Sequence, residues 1–168
     1  MKVFLGPGAT GGTASLKPYV AGLGARGVEA QAVELPVSNA ERAVAVFLRQ
    51  SGSGRDVVIG GRSYGGRVAS LAAAGPGADF AGLLLFAYPL HRPGSPDQRR
   101  TEHWPRIRCP VLVVQGESDP FGSPDEICEE APKLANVRVV RLAGTGHALK
   151  EGLDDALDAA ADWIASLG

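Results

Sequence analysis

GRSYGG, at residues 61–66, is the most informative stretch of the chain. It directly follows an apolar run at 56–60 and precedes a helix-like segment at 67–74. A serine on such a strand-to-helix turn needs a glycine two positions before it and two after it, because side chains there would collide with neighbouring elements. The pattern predicts that Ser63 has a strained backbone and presents its hydroxyl at the C-terminal edge of a sheet. The competing interpretation is a glycine-rich turn without chemistry, since a chain with 23 glycines can contain Gly-x-Ser-x-Gly by chance.

Short apolar runs rich in Val, Leu and Ile recur along the chain. They cover residues 2–5, 28–35, 56–60, 80–88, 110–115 and 137–142. The runs do not alternate apolar with polar residues, which is typical of strands covered on both faces. Helix-like stretches separate them, and this order of elements is typical of a parallel sheet with right-handed crossovers. We therefore predict a single α/β domain over residues 1–168, with about six parallel strands and helices on both faces.

Two of the predicted helices have recognisable starts. Ser38 followed by Glu41, and Ser123 followed by Glu126, both match the capping box, in which each side chain bonds to the other residue's backbone amide. Pro124 stands at the first position of the second helix, where proline is favoured. We expect a helix to begin at each of these sites.

The stretch from Leu90 to Pro105 has neither helical nor strand periodicity. Loops of this length are usually functional or mobile. Because it follows a predicted strand, it lies where a lid over a site would be inserted. His91 could line the mouth of the pocket and contact substrate, and His103 precedes a tryptophan within the loop. A structural or solvent-facing role is the alternative for both histidines.

The chain supplies the partners that a nucleophilic serine needs. A serine hydroxyl is a poor nucleophile near neutral pH, so it needs a base, and the base needs a group that fixes its tautomer. Asp119 follows the fifth apolar run and His147 follows the sixth, so both should emerge at the same sheet edge as Ser63. We predict that these three residues are catalytic. Glu117 is a rival acid, and roles in a turn or a polar loop are the alternatives for Asp119 and His147.

Backbone amides near the serine could stabilise an oxyanion. The amide of Tyr64 stands at a helix start, where N–H groups and the helix dipole favour negative charge. A second donor should come from the loop after the first strand, residues 6–12. Gly8 or Ala9 is the expected donor, because Pro7 has no N–H.

The same loop also matches a dinucleotide-binding pattern. Gly6, Gly8 and Gly11 satisfy Gly-x-Gly-x-x-Gly, which would make the chain a dinucleotide-binding oxidoreductase. Pro18 falls early in the following helix and argues against this, while Glu34 at the end of the second run supports it only in part. We therefore predict that the protein uses no cofactor.

The charges of the chain nearly balance, with a formal net charge of −1. Such a chain has no overall field that would attract polyanions, so we expect no nucleic-acid partner. The arginines within 99–108 are expected to be solvated surface. Arg62 and Arg67 flank the serine turn and could pair with a substrate carboxylate, or with a surface acid.

Composition places the chain among ordinary folded domains, with 45% hydrophobic and 21% charged residues in 168. Cys109 and Cys128 are too few for a disulfide framework and lack the spacing of metal ligands, so we expect a reducing compartment and no metal. No apolar run is long enough for a signal peptide or a membrane span. We therefore predict a cytoplasmic protein that acts on a small molecule and has no membrane partner.

Four stretches resemble a known family. They are GGRSYGGR at 60–67, YPLH at 88–91, PVLVVQGESDPFG at 110–122 and GH at 146–147. The chain is similar to small α/β-hydrolase-like proteins related to testis-expressed and histone-acetyltransferase-complex subunits, with bacterial relatives near the dienelactone hydrolases.

This resemblance implies a minimal α/β-hydrolase fold without a cap domain, with strand order 2-1-3-4-5-6. The strand at 28–35 would then be an edge, which permits a homodimer as well as a monomer. The resemblance further implies that Ser63 is the nucleophile, Asp119 the acid and His147 the base of a serine esterase. Because some relatives look like scaffold subunits, a non-catalytic binding module is the alternative function.

Overall fold

The computed structural model describes all residues, Met1–Gly168. The strands are β1 Lys2–Gly6, β2 Glu29–Ala32, β3 Gly54–Arg62, β4 Phe80–Phe86, β5 Val111–Gly116 and β6 Val137–Leu142. The α-helices are α1 Lys17–Gly24, α2 Ala40–Ser51, α3 Tyr64–Ala73, α4 Pro124–Glu130 and α5 Leu153–Ala165. Each predicted strand is present.

The strands form one sheet in the order β2-β1-β3-β4-β5-β6, and every neighbouring pair is parallel. The predicted fold class and strand order are therefore confirmed. Strand β2 lies at the edge as expected, but it is shorter than the run at 28–35. The backbone of Glu34 bonds to the side chain of Gln50 and not to β1, which ends the ladder. The amide of Glu34 donates to Gln50 Oε1 at 3.0 Å, and Gln50 Nε2 donates to the carbonyl of Glu34 at 2.8 Å.

Helices cover both faces of the sheet and create two cores. Helices α2, α3 and α4 pack on one face, and α1 and α5 pack on the other. Along β4, Leu83 and Leu85 point to the first core while Leu84 and Phe86 point to the second. All four are fully buried, each worth roughly 1.5–3 kcal/mol relative to exposure. Burial on both faces explains why the apolar runs do not alternate.

Helix α2 begins differently from the prediction. Its N-cap is Asn39, whose side chain accepts a hydrogen bond from the amide of Arg42 at 3.0 Å. The predicted capping box of Ser38 and Glu41 is therefore wrong. Asn39 has the extended backbone that an N-cap needs, and the carboxylate of Glu41 instead lies 3.6 Å from a guanidinium nitrogen of Arg67.

The start of helix α4 follows the prediction. Ser123 and Glu126 form the complete capping box, and Pro124 occupies the first turn. The amide of Ser123 donates to Glu126 Oε2 at 2.7 Å, and the amide of Glu126 donates to Ser123 Oγ at 3.2 Å.

The loop at 90–105 is anchored at both ends. The amide of Arg100 donates to the carbonyl of Leu90 at 2.8 Å, and the hydroxyl of Tyr88 donates to the carbonyl of Arg100 at 2.6 Å. Trp104 is fully buried against Tyr88, with ring centroids 5.2 Å apart. The loop predicted to be a lid is thus fixed at its base, and its longest exposed part is the middle, residues 92–98. No helix of the chain has both the length and the apolar character that crossing a membrane requires.

Candidate active site

Ser63 lies between β3 and α3 at the C-terminal edge of the sheet. Its backbone has φ 51° and ψ −119°, in a region that residues other than glycine rarely adopt. Such a conformation costs roughly 1–3 kcal/mol and persists only where the surroundings hold it. The amide of Ser63 donates to the carbonyl of Phe86 at 2.9 Å, and the amide of Arg67 donates to the carbonyl of Ser63 at 3.1 Å.

The glycines around Ser63 permit close backbone packing. A Cβ on Gly61 would lie 2.5 Å from the carbonyl oxygen of Gly6, and a Cβ on Gly65 would overlap the same carbonyl group. The steric requirement predicted for this turn is therefore present. Gly6 has its own part in this contact, since its Cβ would lie 3.0 Å from the Cα of Gly65. The first glycine of the dinucleotide-like pattern thus serves the packing of the turn.

Ser63, His147 and Asp119 are hydrogen-bonded in series. Ser63 Oγ lies 2.8 Å from His147 Nε2, and His147 Nδ1 lies 2.8 Å from Asp119 Oδ2. An ionised carboxylate can only accept, so Nδ1 carries the proton and the lone pair of Nε2 faces the serine hydroxyl. The sheet brings together three residues that the chain separates by as many as 84 positions.

Asp119 is held firmly in place. Its carboxylate is fully buried, accepts from the amide of Phe121 at 2.8 Å, and accepts from Gln115 Nε2 at 3.3 Å. Glu117, the rival acid, is exposed, and it contacts neither His147 nor Ser63. The position beside the histidine therefore belongs to Asp119.

A cavity of about 360 Å³ opens onto the serine hydroxyl and the imidazole. Its lining comes from the C-terminal end of β3, the start of α3 and the loops after β1, β4, β5 and β6: Ala9, Thr10, Arg62, Ser63, Tyr64, Arg67, Pro89, Arg100, Phe121 and His147. A larger depression of about 440 Å³ lies at the opposite edge of the sheet, at the N-terminal ends of β3, β4 and β5. That depression contains Cys109, whose thiol pKa burial raises to about 11, so the thiol stays protonated and unreactive there.

The predicted amide donors lie near the serine. Tyr64 is the first residue of α3, and Ala9 lines the cavity. Gly8 is buried, and its Cβ position lies 3.8 Å from Ser63 Cβ. The structure thus brings both candidate loop donors to the side of Ser63.

Three arginines line the cavity, and sequence analysis identified two of them. Arg62 Nη2 donates to the carbonyl of His147 at 3.5 Å, and Arg67 Nη2 lies 3.6 Å from Glu41. The expectation that the arginines within 99–108 are solvated surface is wrong for Arg100, which is half-buried, lines the cavity and donates to the carbonyl of Pro89 at 3.2 Å. No local pattern points to Arg100, because it reaches the cavity only through the fold of the loop at 90–105.

The other two histidines lie away from the cavity. His91 is buried, and its ring nitrogens lie 2.9 Å from Glu126 Oε1 and 2.8 Å from the carbonyl of Arg92. The structure therefore does not place His91 at the pocket mouth, and its side chain instead ties the loop to α4. His103 is also buried, with Nε2 at 2.7 Å from Ser70 Oγ. Burial, followed by the charges of Arg67 and Arg106, lowers the pKa of His103 to about 4.

The chain matches one protein family and superposes on solved structures of the same fold. The family described as "Alpha/beta hydrolase domain" matches residues 26–165. The crystal structure of the monoacylglycerol lipase of Paleococcus ferrophilus superposes with a TM-score of 0.83, covering 99% of this chain and 95% of that one at 14% identity. Est1E from Butyrivibrio proteoclasticus superposes with a TM-score of 0.81, covering 99% of this chain and 87% of that one at 14% identity.

A curated relative matches over a short segment. The polyketide synthase ThaQ of Burkholderia thailandensis is 41% identical over 49 residues, which are 29% of this chain and 2% of that protein. The chain therefore spans a very small part of the length of this relative.

Proposed function

Because the chain belongs to the α/β-hydrolase domain family, we propose that it is a serine hydrolase that cleaves a small ester or related acyl substrate. One observation carries the proposal: Ser63, His147 and Asp119 are linked by two contacts of 2.8 Å, and the serine end of this series faces a cavity of about 360 Å³. A closer relation to the testis-expressed, acetyltransferase-complex and dienelactone hydrolase proteins stays a prediction from the sequence.

The first half of the reaction forms an acyl-enzyme. Ser63 Oγ attacks the carbonyl carbon of the substrate while His147 Nε2 takes the hydroxyl proton. The electron pair of the carbonyl moves onto its oxygen, which becomes an oxyanion. Asp119 accepts from Nδ1–H throughout and stabilises the imidazolium that forms.

The oxyanion needs donors that are already in place. The amide of Tyr64, at the start of α3, and the amide of Gly8 or Ala9 would supply them. The dipole of α3 adds positive potential at the same point. When the tetrahedral species collapses, the leaving oxygen takes the proton from His147 Nε2 and departs as an alcohol.

The second half returns the enzyme to its starting state. A water molecule gives a proton to His147 Nε2 and attacks the acyl carbon. Collapse of this second tetrahedral species breaks the bond to Ser63 Oγ and returns the proton to it. The products are a carboxylic acid and an alcohol.

A fluorophosphonate probe tests the proposal, because it reacts covalently with activated serines. We expect the wild-type protein to be labelled at Ser63, as located by peptide mass spectrometry. The matched control is Ser118→Ala, which removes an exposed serine next to Asp119 and should leave labelling unchanged. Folded wild-type protein that reacts no faster than Ser63→Ala would overturn the proposal and favour a non-catalytic binding module.

A further inference from the structure

The cavity at Ser63 carries an excess of positive charge. Arg62 ends β3, Arg67 lies in the first turns of α3, and Arg100 arrives from the loop after β4. All three side chains line the cavity, and all three residues are partly buried.

Within the protein, only one of these three charges has an ion-pair partner, and that pair is weak. Arg62 and Arg100 bond to backbone carbonyls and form no ion pair. Arg67 has only Glu41, at 3.6 Å, and the Glu41 side chain is 63% exposed, so solvent weakens this pair. The Nε of Arg67 is buried without a hydrogen-bond partner. The buried carboxylate of Asp119 is already engaged by His147.

The neighbouring Arg99 differs from Arg100, because its charge is paired with carboxylates. It lies within 4.0 Å of three carboxylates, those of Glu126, Glu129 and Glu130. Acidic residues are therefore available beside the loop, yet they surround Arg99 and not Arg100. The lack of a carboxylate at Arg100 is a feature of the cavity.

The positive charges also act on each other. Burial is the main cause that lowers the pKa of Arg100, and the charges of Arg67 and Arg92 lower it further. Arg67 and Arg100 also line a second depression, of about 370 Å³, beside the cavity, and its lining includes Glu41 and Glu102 as well. The two guanidinium groups are therefore close enough to repel each other, and an anion bound between them would relieve that repulsion.

Resting on the hydrolase function proposed above, we propose that the substrate is an ester that carries an anionic oxygen group, held by Arg67 and Arg100 while Ser63 attacks the carbonyl. Guanidinium groups present forked N–H donors that match the oxygens of carboxylates and phosphates. The guanidinium groups of Arg67 and Arg100, which line the cavity, would supply such donors. The charge of Arg62, which lines the same cavity, also favours an anion there.

The test compares esters that differ in charge. For an anion on the acyl side, the pair is the mono-4-nitrophenyl ester of adipic acid and 4-nitrophenyl hexanoate. For an anion on the alcohol side, the set is 4-acetoxybenzoate, 4-acetoxyphenyl phosphate and the neutral methyl 4-acetoxybenzoate. We expect kcat/KM to be about 10-fold or more higher for the anionic ester in at least one set, and to fall as salt is raised. The benzoate and phosphate arms distinguish a carboxylate from a phosphate group.

Two variants assign the preference to residues. Arg67→Gln and Arg100→Gln should each lower the ratio of kcat/KM for the preferred anionic ester to kcat/KM for its neutral counterpart by about 10-fold or more. The matched control is Arg92→Gln, an exposed arginine of the same loop that does not line the cavity. Circular dichroism establishes that each variant is folded, and the wild-type comparison does not depend on the variants.

The outcomes separate the two proposals. If neutral esters are hydrolysed and the probe labels Ser63, but no anionic ester is preferred in either set, the anion site is overturned and the hydrolase function stands. If no ester is hydrolysed and Ser63 is not labelled, the hydrolase function fails and the anion site falls with it. A preference that survives both arginine variants would also overturn the assignment to Arg67 and Arg100.

Discussion

The ring of Phe121 stacks on the imidazole of His147, with ring centroids 4.2 Å apart and planes inclined by 27°. The amide of Phe121 also donates to Asp119 Oδ1 at 2.8 Å. Phe121 therefore contacts both residues. Its ring packs on the face of the imidazole, and its amide binds Oδ1, the carboxylate oxygen of Asp119 that does not contact His147. This relationship makes Phe121 a positioning residue for the proposed base.

Phe121→Leu removes the stacking surface and keeps the backbone hydrogen bond. Because the imidazole then has more freedom to turn, we expect kcat for a neutral ester to fall by between about 10-fold and 100-fold. Phe121→Tyr keeps the ring and should restore most of the rate. Steady-state kinetics on the folded variants check this, and a loss seen only in KM would show that Phe121 contacts substrate without positioning His147.

Ser63→Ala and His147→Ala should each lower ester hydrolysis by about 10³-fold or more. The double variant should be little worse than either single one, because the two residues act as a unit. The measurement is kcat with a 4-nitrophenyl ester, corrected for spontaneous hydrolysis. Losses that multiply in the double variant would mean that the two residues do not cooperate.

Asp119→Asn should lower kcat by about 10³-fold or more, because an amide can donate to Nδ1 and so favour the wrong tautomer of His147. Glu117→Gln is the matched control, since Glu117 is exposed and contacts neither His147 nor Ser63. We expect it to change kcat by less than about 3-fold. The reverse order of effects would identify Glu117 as the acid.

Gly65→Ala should destabilise the fold by about 3 kcal/mol or more, because its Cβ would overlap the backbone carbonyl of Gly6. Gly24→Ala is the control, since nothing lies within 4 Å of its Cβ position in α1. We expect that change to be neutral or to stabilise by up to about 1 kcal/mol. Urea unfolding of both variants measures the difference, and equal stabilities would refute the close packing of α3 on β1.

Stability should fall on the acid side because of His103. Its pKa is about 4 in the folded protein and 6.5 when unperturbed, so the unfolded chain binds a proton that the folded chain excludes. The free energy of unfolding should therefore decrease as the pH falls from 6.5 to about 4, by up to about 3 kcal/mol from this residue. Above pH 6.5 His103 is neutral in both the folded and the unfolded protein, so this loss of stability is absent.

His103→Gln tests this pH dependence, because glutamine cannot take up the proton. Urea unfolding at several pH values should show a smaller loss of stability between pH 6.5 and about 4 in the variant than in the wild type. Parallel curves for the two proteins would mean that another group causes the acid sensitivity.

Much of the fold follows from local patterns. The apolar runs predict the strands because burial on both faces demands continuous apolar residues, and the glycines around Ser63 predict the turn because no side chain fits there. The order of the acid and histidine after their strands predicts that they share an edge with Ser63. Each of these inferences depends on residues within one segment and on the regular geometry of a parallel sheet.

The surroundings of the site depend on contacts that no segment encodes alone. Arg100 lines the cavity because its amide donates to the carbonyl of Leu90 and its carbonyl accepts from the hydroxyl of Tyr88, which folds the loop back. His91 lies outside the cavity because its ring N–H donates to the Glu126 carboxylate of α4. The choice of Asp119 over Glu117 is likewise a matter of which side chain is buried beside His147. Sequence patterns report periodicity and spacing along the chain, whereas these outcomes depend on which side chains from distant segments meet in three dimensions, and only the packed tertiary structure decides that.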